Sequence, residues 1–133
     1  MFNRSQNEAS PPAPEPGCCE TLAVDENRVA RARRAMLDDE AIEDTLEIFK
    51  VLSHPTRVRL LKALSVGELC VCELAEVAGL SVSATSHQLR DLRRLKVVQY
   101  RMEGRLAFYT VRDPFVLSLL DSAVAHYAPV GAR

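Results

Sequence analysis

Apolar residues recur along the chain with a spacing that changes from helical to strand-like and back. Asp25 as an N-cap, followed by an acidic first turn, predicts a first helix over Asp25–Leu37. Apolar residues then return every three to four positions, which predicts helices over Ala41–Leu52 and from Pro55 to about Gly67. Pro55 separates the second and third helices, because proline is tolerated in the first turn of a helix but not in its interior. The sequence therefore predicts three consecutive helices, the second and third with an apolar stripe.

The middle of the chain predicts two short helices joined by a tight turn. The helices span Leu69–Ala78 and Val82–Leu95, and Gly79 lies where a left-handed residue is needed to end the first of them. Two helices joined by a short turn that contains glycine match the helix-turn-helix geometry. Val82–Leu95 is then the candidate recognition helix.

Residues rich in β-branched and aromatic side chains follow and predict a hairpin. Its strands are Val97–Arg101 and Leu106–Val111, with Met102–Arg105 as the turn. Pro114–Tyr127 returns to helical spacing and is apolar over much of its surface, which is typical of a dimerisation helix in a small protein. The predicted fold is mainly α with a β-hairpin, a homodimeric winged helix-turn-helix.

Composition divides the chain into three parts. Residues 1–20 are rich in proline and polar residues and predict a disordered tail that carries Cys18 and Cys19. Residues 21–128 form the predicted winged helix-turn-helix domain for DNA binding and dimerisation, and residues 129–133 form a C-terminal tail. The first residues lack the apolar core of a signal peptide, and no apolar run approaches the roughly 20 residues of a membrane span. We expect a cytoplasmic protein without a membrane partner.

Charge is concentrated in one segment. The formal net charge is −1, but residues 81–112 hold seven basic and two acidic side chains, whereas residues 1–50 hold six basic and eleven acidic ones. A compact positive segment in a nearly neutral protein favours contact with phosphate groups. From charge alone, a solvated charged surface is an equal alternative.

Side chains of the recognition helix and of the hairpin are the candidate DNA contacts. The helix begins with hydroxyl, imidazole and amide side chains, which hydrogen-bond to base edges and phosphates. Two arginines flank Gly104 in the hairpin and suit phosphate or minor-groove contact. Helix capping and protection of an edge strand by charge are the structural alternatives. The candidates are Ser83, Thr85, Ser86, His87, Gln88, Arg90, Arg101 and Arg105.

The four cysteines occur as two close pairs, Cys18-Cys19 and Cys70 with Cys72. Structural disulfides are rare in the cytoplasm, so clustered thiols indicate metal or redox chemistry. At the first turn of a helix both Cys70 and Cys72 can face one ion, and the positive helix end favours the thiolate form. Zinc and cadmium usually take about four ligands, which the tail pair can complete. Burial as small apolar residues is the structural alternative.

Enzymatic chemistry has no support in the sequence. The chain contains neither an arrangement of nucleophile, base and orienting group nor a glycine-rich phosphate loop. We therefore expect a protein that is not an enzyme and has no organic cofactor.

Three motifs resemble the ArsR/SmtB family of metal-sensing winged-helix repressors. They are LSHPTRVRLL at 52–61, ELCVCEL at 68–74 and SATSHQLR at 83–90, and the resemblance runs from about Cys19 to Tyr127. It implies a homodimer packed through its first and last helices. It also implies binding to an inverted-repeat operator in the metal-free form and release by metal, which derepresses a metal efflux or resistance gene.

Within that family the chain is most similar to the CadC-like sensors of cadmium, lead and zinc. The resemblance implies Cd(II), Pb(II) or Zn(II) as inducer, held by Cys70 and Cys72 together with tail cysteines from the other subunit. Cys19 matches the family's N-terminal arm, Cys18 is its neighbour, and Ala23 stands where the arm has a second cysteine. Sites of four and of three thiolates therefore both stay open.

Two further interpretations of the thiols are compatible with the sequence. A site of three thiolates also suits As(III) or Sb(III), and oxidation of the paired cysteines would make the protein a thiol-redox switch. A second family site, between the last helices, keeps only two of its four ligands here, and we predict that it does not bind a regulatory zinc ion.

Overall fold

The computed structural model describes residues 24–128, so the predicted tails 1–20, with Cys18 and Cys19, and 129–133 lie outside the described residues. Six helices and three short strands make up the described chain. In order they are α1 Glu26–Ala35, α2 Asp39–Leu52, α3 Pro55–Leu64, β1 Leu69–Cys70, α4 Val71–Ala78, α5 Val82–Arg94, β2 Val98–Glu103, β3 Leu106–Val111 and α6 Pro114–Tyr127.

Helix α1 belongs to a separate unit that ends at Leu37, and none of its residues is buried. It begins at Asp25, whose carboxylate accepts hydrogen bonds from the backbone N–H groups of Asn27 and Arg28 at 2.9 and 3.2 Å. The backbone bond from Arg28 and the ion pair with its side chain hold the pKa of Asp25 below its ordinary value. Local capping thus accounts for where this helix starts.

The second unit begins at Asp38 and is built around leucines of three helices. Each fully buried leucine of such a core contributes roughly 1.5–3 kcal/mol relative to exposure, which offsets the entropy lost on ordering. Val98 and Tyr109 of the sheet and Val116 of α6 close the core from the other side. The fully buried leucines are Leu60 and Leu61 of α3, Leu74 of α4, and Leu89 and Leu92 of α5.

The predicted helix-turn-helix is confirmed by the geometry at Gly79. This residue is left-handed, with φ of 67° and ψ of 37°, and ends α4. The next N–H, of Leu80, donates to the carbonyl of Ala75 at 3.0 Å. Ser81 then caps α5 by accepting a hydrogen bond from the N–H of Ala84 at 3.0 Å. Because only glycine adopts this conformation without steric cost, the turn is set by sequence.

The sheet differs from the prediction at its first strand. Leu69 and Cys70 were expected to begin a helix, but they pair antiparallel with β3, and α4 starts two residues later than predicted, at Val71. The strand order is β1-β3-β2, with Cys70 opposite Phe108 and Phe108 opposite Arg101. Pairing with a strand nearly 40 residues away overrides the local helical spacing.

The search for membrane-spanning segments covered only the described residues. None of the helices between 24 and 128 has the length and apolar character that crossing a bilayer requires.

Candidate DNA-binding surface and thiol pair

Helix α5 turns one polar face away from the core. Its buried side, Thr85, Leu89 and Leu92, packs inward, so the residues on the opposite side point outward. His87 and Arg94 are exposed over 67% and 73% of their side chains. We call this surface the exposed face of α5; it consists of Ser83, His87, Arg90 and Arg94.

The structure does not support Thr85 as a DNA contact. Thr85 is fully buried, and its hydroxyl donates to the carbonyl of Ser81 at 2.9 Å. The hydroxyl bonds to the backbone of its own helix on the buried side, so it cannot reach a base. Ser86 and Gln88 are half-buried at the edges of the helix, whereas Ser83 is exposed.

A cluster of charged and polar side chains lies on the flank of α5, beside α3. The Asp91 carboxylate lies 3.7 Å from Nη2 of Arg57, 3.8 Å from Nε2 of His87 and 3.7 Å from Nη2 of Arg94. The Nε–H of Arg57 also donates to Oε1 of Gln88 at 3.3 Å. We call these five residues the Asp91 cluster.

Arg101 of the hairpin is engaged within the protein. Its Nε donates to Oε2 of Glu68 at 2.9 Å and its Nη1 to Oε2 of Glu103 at 3.0 Å, while the guanidinium stands 5.0 Å from the centre of the Phe108 ring. The hydrogen bonds with Glu68 and then Glu103 raise the pKa of Arg101, and the same contact lowers the pKa of Glu68. This placement argues against the expectation that Arg101 contacts DNA.

Arg105 is the wing arginine that is available for an external anion. It follows Gly104, whose φ of 60° forms the hairpin turn, and it is exposed. Within residues 24–128 no ion pair involves Arg105. The tip of the hairpin thus presents one uncommitted cation.

The two described thiols lie at the junction of β1 and α4. Cys70 is buried, with 8% of its surface exposed, and is the N-cap residue of α4, whereas Cys72 is exposed in the first turn. The N–H of Cys70 donates to the Glu73 carboxylate at 2.8 Å. Both thiols are free, and residues 24–128 hold no cluster of three or more metal-binding side chains. The pair is chemically suited to a soft ion but supplies half of a four-ligand set.

Cys70 is directly linked to the wing by the sheet. Residues opposite each other in antiparallel strands share a face, so the side chains of Cys70, Phe108 and Arg101 form one row across β1, β3 and β2. Glu68 lies two positions before Cys70. The ion pair between Arg101 and Glu68 therefore connects the far end of this row to the segment that holds Cys70. The segment that holds Cys70 and the hairpin are thus joined through adjacent paired strands.

Two further arginines belong to the site. Arg94 completes the spacing 83, 87, 90, 94, which follows one helical face, and from the sequence we expect it to point toward the DNA backbone. Arg57 lies on α3, 31 residues before its partner Gln88. No local pattern connects these two positions, so only the structure shows their contact.

Comparison with known proteins shows the family of this chain. Residues 54–100, which include the helix-turn-helix, match the family model described as "Bacterial regulatory protein, arsR family". The "Cadmium resistance transcriptional regulatory protein CadC homolog" of Staphylococcus aureus is 36% identical over 115 residues, which are 86% of this chain and 94% of that protein. The chain belongs to the arsR family of bacterial regulatory proteins. This confirms the family resemblance.

Solved structures of related proteins have the same fold. The AntR antimony-specific transcriptional repressor is 33% identical, with a TM-score of 0.66, and the match covers 68% of this chain and 83% of that one. The homodimeric winged helix-turn-helix domain Mb0332 of Mycobacterium bovis is 25% identical, with a TM-score of 0.59 over 70% of this chain and 90% of that one. The arsR-family protein is thus a winged helix-turn-helix, as predicted.

Proposed function

We propose that this arsR-family protein is a transcriptional repressor that binds operator DNA in its metal-free form and is released by a thiophilic metal ion. Release would derepress a metal efflux or resistance gene. The observation that carries the proposal is the position of Cys70 and Cys72, which join the first helix of the helix-turn-helix to the sheet of the wing.

The DNA contacts in this proposal come from α5 and the wing tip. The exposed face of α5 lies in the major groove, and Arg105 contacts phosphate or the minor groove. Ser86 and Gln88 contact DNA from the edges of the same helix. These roles follow from exposure and charge, since basic side chains that replace counterions supply much of the affinity for DNA.

A homodimer on an inverted-repeat operator fits the apolar surface of the second unit. Phe49 of α2 and Phe115 of α6 are 52% and 59% exposed, and both line an apolar groove with Ile48 and Leu119. Exposed apolar patches of this kind mark association surfaces in small proteins. The homodimeric relative Mb0332 gives further support.

The inducer site in this proposal combines Cys70 and Cys72 with Cys18 and Cys19. Sulfur ligands prefer soft ions, so Cd(II), Pb(II) or Zn(II) would be held by these thiolates. The similarity to a CadC homolog supports cadmium among them. Cys70 and Cys72 supply only two of the three or four sulfur ligands. In this proposal the remaining sulfurs come from Cys18 and Cys19, the other cysteines of the sequence.

The metal site and the DNA-binding surface are linked thermodynamically in this proposal. An ion lowers operator affinity only if it binds more tightly to a conformation that binds DNA weakly. The row from Cys70 through Phe108 to Arg101 gives such a conformation a physical route, because moving β1 moves its hydrogen-bonded neighbours.

Titration with cadmium tests the proposal. We expect ultraviolet thiolate-to-metal bands that saturate at one ion per site with three or four sulfurs, and an operator affinity that falls by about 5- to 150-fold at saturation. Operator binding is measured by fluorescence anisotropy on a duplex selected by the metal-free protein from a random pool. If cadmium, lead and zinc all leave this affinity unchanged, the proposal is wrong.

A repressor that responds to As(III) or Sb(III) is the second candidate, favoured by the similarity to the antimony-specific repressor AntR. Three of the four cysteines would then form the site. Arsenite or antimonite would release the operator while cadmium, lead and zinc would not. Release by peroxide that persists with a chelator present would instead indicate a thiol-redox switch.

The wing arginines provide a separate prediction for DNA binding. Arg105→Ala should weaken binding and lower the slope of log affinity against log salt by about 0.9, because one phosphate contact is lost. Arg101→Ala should leave that slope unchanged, since its guanidinium is paired with Glu68 and Glu103. Anisotropy titrations at several salt concentrations measure both slopes, and equal losses would contradict the assignment.

A further inference from the structure

An acidic residue lies beside the surface that we assign to DNA. Asp91 is on α5, one helical turn from His87 and from Arg94, and its side chain is only 22% exposed. A carboxylate near a polyanion is repelled, so its presence weakens DNA binding unless it also does something favourable. The contacts of Asp91 indicate what that is.

Asp91 contacts basic side chains on two sides. His87 and Arg94 belong to the exposed face of α5, and both approach the carboxylate within 3.8 Å. Long side chains on an open helix surface otherwise sample several rotamers, which costs entropy when they are fixed on DNA. A carboxylate that pairs with both side chains would restrict them before binding.

Arg57 holds the carboxylate from the α3 side. Its side chain is 20% exposed, its Nη2 lies 3.7 Å from Asp91, and its Nε donates to Gln88. One guanidinium on the core-packed helix α3 thus contacts two residues of α5. This arrangement fixes the carboxylate and also the orientation of the Gln88 amide.

We propose that Asp91, anchored by Arg57, is a positioning residue of the DNA interface that pre-arranges His87, Arg94 and Gln88 for the operator. The inference rests on the proposed operator binding. It predicts that loss of the carboxylate changes the affinities for the operator and for other DNA in opposite directions. Removing the carboxylate reduces repulsion for any DNA but also frees the side chains that distinguish the operator from other sequences.

The variant Asp91→Asn tests this role with two duplexes. One is the duplex selected by the unsubstituted, reduced, metal-free protein, and the other is a scrambled duplex of equal length. We expect operator affinity to fall by about 10-fold, comparable to one mismatched base pair, and scrambled-duplex affinity to rise by about twofold as one negative charge is lost. Specificity therefore falls by about 20-fold.

Two further variants make the result interpretable. Asp121→Asn is the matched control, because Asp121 pairs with Lys62 of the same helix α3 but lies on α6, away from α5. It should leave the ratio of the two affinities unchanged. Arg57→Ala should lower specificity as Asp91→Asn does, with the salt slope unchanged because Arg57 does not contact phosphate in this proposal.

The outcomes separate the possibilities. If Asp91→Asn tightens both duplexes equally, the carboxylate is only repulsive and the inference is wrong. If both affinities fall together with the melting temperature, Asp91 is structural and the inference is also wrong; Arg57→Ala then gives an independent check. If the unsubstituted protein selects no duplex at all, the proposed function fails and the inference fails with it.

Discussion

Cys70→Ser should abolish metal-dependent release while leaving operator affinity in the absence of metal within about twofold. Serine is among the best N-cap residues, so the start of α4 is preserved at the position where Cys70 now stands. Its hydroxyl is a poor ligand for a soft ion, so a thiolate is lost without a change in shape. The expected loss is the whole coupling, about 1–3 kcal/mol or 5- to 150-fold in operator affinity.

The measurement compares operator affinity with and without cadmium for the unsubstituted protein, Cys70→Ser and Cys72→Ser. Cys72 is exposed in the first turn of α4, so its replacement tests the same site without disturbing the core. Both variants should bind the operator and ignore cadmium. Loss of operator binding in the absence of metal by either variant would show that the thiol is structural.

Leu89→Ala should destabilise the protein by about 2–5 kcal/mol, the largest stability effect that we predict. Leu89 is fully buried and is one of two leucines that fix α5 to the core, so its truncation leaves a cavity beneath the recognition helix. Since small domains are stable by only about 5–15 kcal/mol, a substantial part of the folding free energy is lost.

Urea denaturation followed by circular dichroism, at one fixed protein concentration, measures the change in the free energy of unfolding. Leu106→Ala is the matched control. Leu106 begins β3 and is 49% exposed, so the same truncation should cost less than about 1 kcal/mol. Equal losses for the two variants would mean that Leu89 is not a core residue of the folded state in solution.

Much of the fold could be predicted because local signals agree with tertiary structure. Pro55 and Gly79 mark a helix start and a helix end by backbone chemistry alone. The β-branched and aromatic residues on both sides of Gly104 predict a hairpin in the same way, although β2 runs two residues further than expected, to Glu103, and the turn is correspondingly shorter. Helical spacing also predicts that Leu89 and Leu92 of α5 face the core, as they do, whereas Val82, expected beside them, is 50% exposed.

The differences between the sequence-based expectations and the structure concern contacts between distant positions. Strand β1 forms because its residues hydrogen-bond to the edge of β3. Arg101 forms an ion pair because the fold brings it beside Glu68, 33 residues earlier in the chain. Neither relation has a local signature. Thr85 is different, because its spacing of four and seven residues from Leu89 and Leu92 places it on the buried side. Its hydroxyl suggested a DNA contact, but periodicity was the better guide.

The pairing of Cys70 with Phe108 also constrains how such a protein can diversify. Successive side chains of a strand point to opposite faces, so one residue inserted or deleted just before Cys70 would turn the thiol to the other side of the sheet. Substitutions around the cysteines leave this orientation intact. New inducer preferences should therefore arise by replacement of residues rather than by changes of length between residues 68 and 72.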